Sequence, residues 1–190
     1  MVRMGVVCSI ALCAALALWF AVRPAAAAPA DDRVMADYGE ANRPDPKIAE
    51  AFYNRGIGYF RMGYFVEAAD DLRRANDLTD DAYAMLWRFL ARGRLGEDGA
   101  SELSAKAARL NTKNWPYPVI DFYLGRRALV EIRSAAATPD QKCEAEFYAG
   151  AWLAWRSAPG TARAVLQHAA DTCPKNSTEY AGAIAELKRL

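Results

Sequence analysis

Few side chains in this 190-residue sequence could do chemistry of their own, and their types and spacing restrict what that chemistry could be. His168 is the single histidine, and Cys143 and Cys173 are the two cysteines beyond the first thirty residues. A zinc site draws on three or four such ligands, so His168 reads as a surface residue, and neither metal nor cofactor is expected. A serine nucleophile would need a histidine or lysine base within reach, and the sequence has no Gly-x-Ser-x-Gly turn and no phosphate loop. Asp70, Asp71, Asp80 and Asp81 crowd one stretch and could share acid–base work on a glycan. The simpler reading makes them helix caps and a solvated face. Cys143 and Cys173 form either a structural bridge or a redox pair, and reactive pairs usually lie closer, as in Cys-x-x-Cys. No catalytic residue is expected, which points toward binding rather than catalysis.

The elements that must position these residues show an internal repeat. Gly56 is followed twelve, sixteen, nineteen and twenty-four residues later by Ala68, Leu72, Ala75 and Asp80. Gly150 is followed at the same four distances by Ala162, Leu166, Ala169 and Pro174. Matched offsets in two places mark a repeated unit. Small residues late in one helix and early in the next let two antiparallel helices approach closely. The expected fold is therefore all-α, a solenoid of helical hairpins. The good repeats cover about residues 49–82 and 143–176, with a degenerate hairpin at 83–111 that turns between Gly96 and Gly99. Asn114-Trp115-Pro116-Tyr117-Pro118 breaks the chain, and residues 112–138 should hold an extra helix or two short ones. Tyr180, Ile184 and Leu187 fall on one face of a closing helix that would cap the array.

In this register Cys143 opens the first helix of the last hairpin and Cys173 ends its second helix, which makes them neighbours. A disulfide there would close a loop worth roughly 3 to 4 kcal/mol in the chain-entropy model. The start of the chain suggests an oxidising compartment. Arg3, an uncharged apolar stretch from Met4 to Val22, and small residues after Pro24 follow the order of a secretory signal. Ala25 and Ala27, or Ala28 and Ala30, satisfy the cleavage pattern, placing the signal over residues 1–28 with cleavage as late as residue 30. Residues 29–46 read as a leader and 47–190 as the folded domain. Nineteen apolar residues also approach the ~20 of a membrane span, so an inner-membrane anchor over residues 4–22 is the competing reading of a periplasmic or secreted protein. Cys13 follows Leu12 in mid-stretch, where a lipoprotein signal would not place it.

Of 24 Lys and Arg and 23 Asp and Glu, only Arg3 and Arg23 fall within the first 28 residues, so the remainder is near neutral. A nucleic-acid partner would need a clear basic excess. The pairs Arg73-Arg74 and Arg126-Arg127 are read as solvated helix faces.

The first repeat, AFYNRGIGYFRMGYFVEAADDLRRANDLTDD, resembles the tetratricopeptide-repeat family through Phe52, Gly56, Tyr59, the Gly63 turn and the Glu67-Ala68 pair. The second, CEAEFYAGAWLAWRSAPGTARAVLQHAADTCP, is similar. The order of a good repeat, a degenerate one with LWRFLAR, a tryptophan loop before DFYLG, a repeat with EFYAG and a closing EYAGAIAELKRL resembles the NlpI-type proteins of the bacterial cell envelope. That likeness spans roughly Ile48 to Leu190. It implies an adaptor that joins a periplasmic protease or cell-wall enzyme to its substrates, without the lipid anchor.

In the implied fold the first helix of each repeat lines a concave groove. The candidate protein-binding residues are Glu50, Tyr53, Ile57, Phe60 and Arg61 from the first repeat, and Glu144, Phe147, Ala151, Ala154 and Trp155 from the last. Aromatic and arginine side chains dominate binding hot spots, although Tyr53 and Phe147 could equally pack between helices. Tyr53 and Ile57 replace the Lys and Asn with which some relatives clamp a C-terminal carboxylate. Trp115 and Tyr117 form a second candidate, either a displayed aromatic loop or a plug between helices. The expected partner is one or more envelope proteins. The alternatives are self-association into a homo-oligomer and a small hydrolase using Asp70 or Asp71.

Overall fold

The computed structural model describes residues 47–156 and 158–190. The expected signal, the alternative anchor, Cys13 and the leader lie outside the described residues. Those residues are all-helical, with nine helices and no strand among them. They are α1 (Ile48–Met62), α2 (Phe65–Leu78), α3 (Ala82–Arg94), α4 (Ala100–Ala107), α5 (Tyr117–Tyr123), α6 (Leu129–Ala135), α7 (Pro139–Trp155), α8 (Pro159–Thr172) and α9 (Thr178–Leu187). No helix among them is long and apolar enough to cross a membrane.

Local chemistry sets the helix ends. Gly63 stops α1 in the left-handed region at φ 89°, which a side chain would resist. The Asp81 carboxylate accepts from Ala84 N at 2.9 Å and starts α3. Thr138 and Gln141 form a capping box at the start of α7, with Pro139 in its first turn. Ser177 Oγ accepts from Tyr180 N at 3.0 Å and starts α9.

The repeated offsets become the same contact twice. A Cβ on Gly56 would stand 2.8 Å from Leu72 Cγ, and one on Gly150 would stand 2.7 Å from Leu166 Cγ. The α1–α2 and α7–α8 pairs close to that distance because both glycines lack a side chain there. Ala68, Ala75, Ala162 and Ala169 line the two seams and are buried. Cys143 and Cys173 are bonded, tying the start of α7 to the end of α8.

Between the two hairpins lies α3 (AYAMLWRFLARGR), which carries Arg88, Arg92 and Arg94 half-buried and is buried through Met85, Leu86, Trp87, Phe89 and Leu90. Phe60, Trp87 and Phe147 continue one aromatic column from α1 through α3 to α7, with successive centroids 5.1 and 4.8 Å apart. Burying each Phe contributes roughly 1.5 to 3 kcal/mol. Residues 112–138 form two short helices, α5 and α6. Arg126 and Arg127 lie in the connection between these helices rather than on a helix face, and both pair with Asp121.

Packing is not confined to neighbours in sequence. Helix α3 touches α7, and α9 touches α1 as well as α7 and α8. The buried face of α9 also differs from the expected one. Gly182, Ala183 and Glu186 are buried, whereas Tyr180, Ile184 and Leu187 are only half-buried. Gly182 allows the close approach, since a Cβ there would meet Phe147 Cε2 at 2.7 Å and Trp87 Cη2 at 2.8 Å. Glu186 tolerates full burial because Arg94 and Arg189 both bind its carboxylate. Arg189 also donates to the carbonyls of Phe60 and Arg61, capping the end of α1 at 2.9 and 2.5 Å.

Candidate functional site

The expected groove is not open along its length, because α9 fills part of it. Ile57, Phe60, Phe147 and Ala151 are core residues, with Phe147 at 0% and Phe60 at 1% exposure, so they present nothing to a partner. Trp155 is half-buried and turned onto α3, where a Cβ on Gly93 would come within 2.6 Å of its ring. The Arg156 guanidinium sits 4.6 Å from the Trp155 ring centroid. Ala154 is half-buried, and Arg61 is half-buried with its carbonyl engaged by Arg189.

What remains accessible gathers where α1, α3, α7 and α9 begin. Glu50 is exposed, and Tyr53, Tyr83, Trp115, Glu144 and Glu179 are half-buried. Glu144 is fixed from two directions. Its Oε2 accepts from Tyr83 Oη at 3.0 Å and from Trp115 Nε1 at 2.7 Å. Trp115 therefore serves as a strut that ties the loop before α5 to α7, while still forming part of this surface. Tyr117 is buried, with Lys113 Nζ 5.4 Å from its ring centroid.

The electrostatics of the cluster are one-sided. Burial pushes the Glu179 carboxyl up to about 7, and the carboxylates of Glu144 and Asp140 add repulsion. Its own backbone N–H and the nearby Tyr148 hydroxyl act in the opposite direction. Burial also raises Glu144, against the bonds from Trp115 and Tyr83. Tyr53 and Tyr83 are raised above the ordinary phenol value, first by burial and then by Glu179 and Glu144 respectively. The Tyr148 side chain is fully buried, and after burial itself the Glu179 carboxylate is the leading influence that raises its hydroxyl.

Beside this cluster lies a cleft of about 550 Å³ whose walls include Lys47, Glu50, Tyr53, Asp80 and Asp81. Tyr53 belongs to both the cleft and the cluster. Lys47, the basic residue on this rim, has an interaction of its own.

Tyr83, Tyr148 and Glu179 are absent from the candidates drawn from the sequence. Glu144 and Tyr148 lie four apart on α7 and so share a face, which was a legible signal. Nothing local couples Glu179 to them.

The acidic stretch resolves into structural roles. Asp71 is buried, with Arg55 donating to both oxygens at 2.5 and 2.9 Å. Asp81 is a cap, Asp70 pairs with Arg73, and Asp80 pairs with Arg109. His168 is exposed on α8. No group of three or more His, Cys, Asp or Glu placed to share a metal ion occurs among the described residues. No family model matches this chain.

Proposed function

We propose that this protein is an adaptor of the bacterial cell envelope, exported to the periplasm, with a tetratricopeptide-like array of helical hairpins that captures partner proteins. The observation that carries this reading is the surface formed by Tyr53, Tyr83, Trp115 and Glu144, which four separate segments hold half-exposed beside a cleft of about 550 Å³. Aromatic rings fixed by hydrogen bonds lose little side-chain freedom on binding, which favours recognition of a protein segment. The disulfide across α7 and α8 suits an oxidising compartment. The likeness to NlpI-type proteins makes a protease or cell-wall enzyme and its substrates the natural partners.

Gentle cross-linking and affinity capture of the processed protein from the envelope tests the reading. One or a few envelope proteins should co-purify from cells producing the unaltered protein and be lost with Tyr83→Ala. Recovery of the protein alone under these conditions would overturn the adaptor role.

The exposed apolar residues Met62, Tyr64 and Val66, at and around the α1–α2 turn, favour self-association as a second reading. Sedimentation over a wide concentration range distinguishes the two, since a strict monomer excludes a self-assembling subunit.

A further inference from the structure

A second cleft, of about 380 Å³, opens between α6, α7 and α8 and shares no wall residue with the cleft beside Tyr53. Its volume lies in the range of roughly 300 to 1,000 Å³ that small-molecule sites occupy. Three helices bring one basic side chain each to its walls: Arg133 from α6, Lys142 from α7 and His168 from α8. Glu146 is its single acidic wall residue among those described, and both of its oxygens are taken. Arg133 Nε and Nη2 donate to them at 2.7 and 2.8 Å. The fork holds the guanidinium in place on a buried carboxylate and uses two of its three nitrogens. Lys142 and His168 are exposed, and neither is drawn into an ion pair with a described residue. Asp171, in the last turn of α8, accepts from Gln167 at 2.9 Å, and neither it nor Asp140 lines the cleft. An ion pair that only joined α6 to α7 would account for Arg133 and Glu146. It gives no reason for Lys142 and His168 to stand on the same cleft without an unclaimed carboxylate among its walls.

We infer that this cleft binds a small phosphomonoester, with Arg133, Lys142 and His168 donating to the phosphate and Pro139 and Ala145 lying against the organic body. Walls that offer charged donors and no unclaimed carboxylate select an anion. Three donor side chains on three helices suit the three terminal oxygens of a tetrahedral dianion better than a carboxylate, which brings two oxygens and one charge. A guanidinium already fixed by Glu146 loses little freedom when a ligand arrives. This site stands apart from the adaptor reading, because it uses none of Tyr53, Tyr83, Trp115 and Glu144.

His168 is the single histidine of the chain, so its imidazole C–H signals in NMR report on this cleft without ambiguity. The processed protein, with its disulfide oxidised and no histidine tag, is titrated separately with phenyl phosphate, inorganic phosphate, benzoate and phenol at constant pH and ionic strength. Phenyl phosphate should move the signals saturably and bind at least threefold more tightly than inorganic phosphate and at least tenfold more tightly than benzoate or phenol. Lys142→Gln, at an exposed position, should weaken phenyl phosphate at least fivefold and Arg133→Gln at least tenfold. Arg73→Gln, which removes the same charge from α2, should leave its affinity unchanged. A shift that never saturates, phenol bound as tightly as phenyl phosphate, or wild-type affinity in Lys142→Gln would overturn the site. Benzoate bound as tightly would overturn the choice of phosphate, and inorganic phosphate bound as tightly would overturn the organic ester. If Arg133→Gln fails to fold because Glu146 is stranded, Lys142→Gln decides.

Discussion

Replacing Glu179 with Gln should stabilise the protein in alkaline solution and do much less in mild acid. The carboxyl has an ordinary value of 4.5 and is pushed up to about 7 in the folded chain, chiefly by burial. Between those values the folded state holds a proton that the unfolded state has released, so wild-type stability falls as pH rises through the window and levels off above it. At about 1.36 kcal/mol per pH unit the ceiling is about 3 kcal/mol. Water at the half-open rim screens the carboxyl, so a gain of about 1 to 2 kcal/mol for Glu179→Gln over wild type is expected between pH 5 and pH 8. The groups facing Glu179 are Glu144, Asp140, Tyr148, Tyr53 and Tyr83, and all of them remain in the variant. Asp77, held low by Lys106, and Glu102, which burial would raise but Arg88 and Arg92 hold low, pull stability the other way with pH. Their effect is common to both proteins and cancels in the difference. Urea unfolding followed by helical circular dichroism at the two pH values measures it. A difference between variant and wild type that does not change with pH would refute the argument that a half-buried carboxylate beside Glu144 and Asp140 destabilises this end of the fold.

Four further outcomes follow from the structure. Gly150→Ala should cost roughly 1 to 3 kcal/mol by overpacking, because the new Cβ would meet Leu166 Cγ at 2.7 Å and Leu166 N at 3.1 Å. Gly160→Ala, which meets nothing within 4 Å, should be neutral or slightly stabilising when both variants are compared with wild type by thermal melting. Glu186→Ala should lose about 3 to 5 kcal/mol in urea unfolding by stranding Arg94 and Arg189, and unchanged stability would show that α9 is not locked by this carboxylate. Cys143→Ser with Cys173→Ser should lower stability by about 3 kcal/mol, and the wild-type protein should resist thiol alkylation until reduced; two free thiols without reductant would show the bridge unformed.

The sequence by itself determined the local parts of this protein. A small residue sixteen positions before a leucine, occurring twice, specifies where two helices meet, and the meeting of Gly56 with Leu72 and of Gly150 with Leu166 follows from helical geometry alone. The Cys143–Cys173 bridge was legible for the same reason, since a hairpin returns its ends to one place. The start signals at Asp81, Thr138 and Ser177 likewise depend on nearby residues. What only the tertiary structure decided is how the hairpins face one another. Hydrophobic periodicity favoured Tyr180, Ile184 and Leu187 as the packed face of α9, yet Gly182 and Glu186 went inside. That choice depends on the volume of Trp87 and Phe147 and on two arginines, Arg94 and Arg189, which come from different parts of the chain. The same long-range fit buried Ile57, Phe60, Phe147 and Ala151 of the expected groove and brought Tyr53, Tyr83, Trp115, Glu144 and Glu179 together. No spacing rule links five residues on five segments, because their neighbourhood is set by how side-chain volumes across separate helices fit.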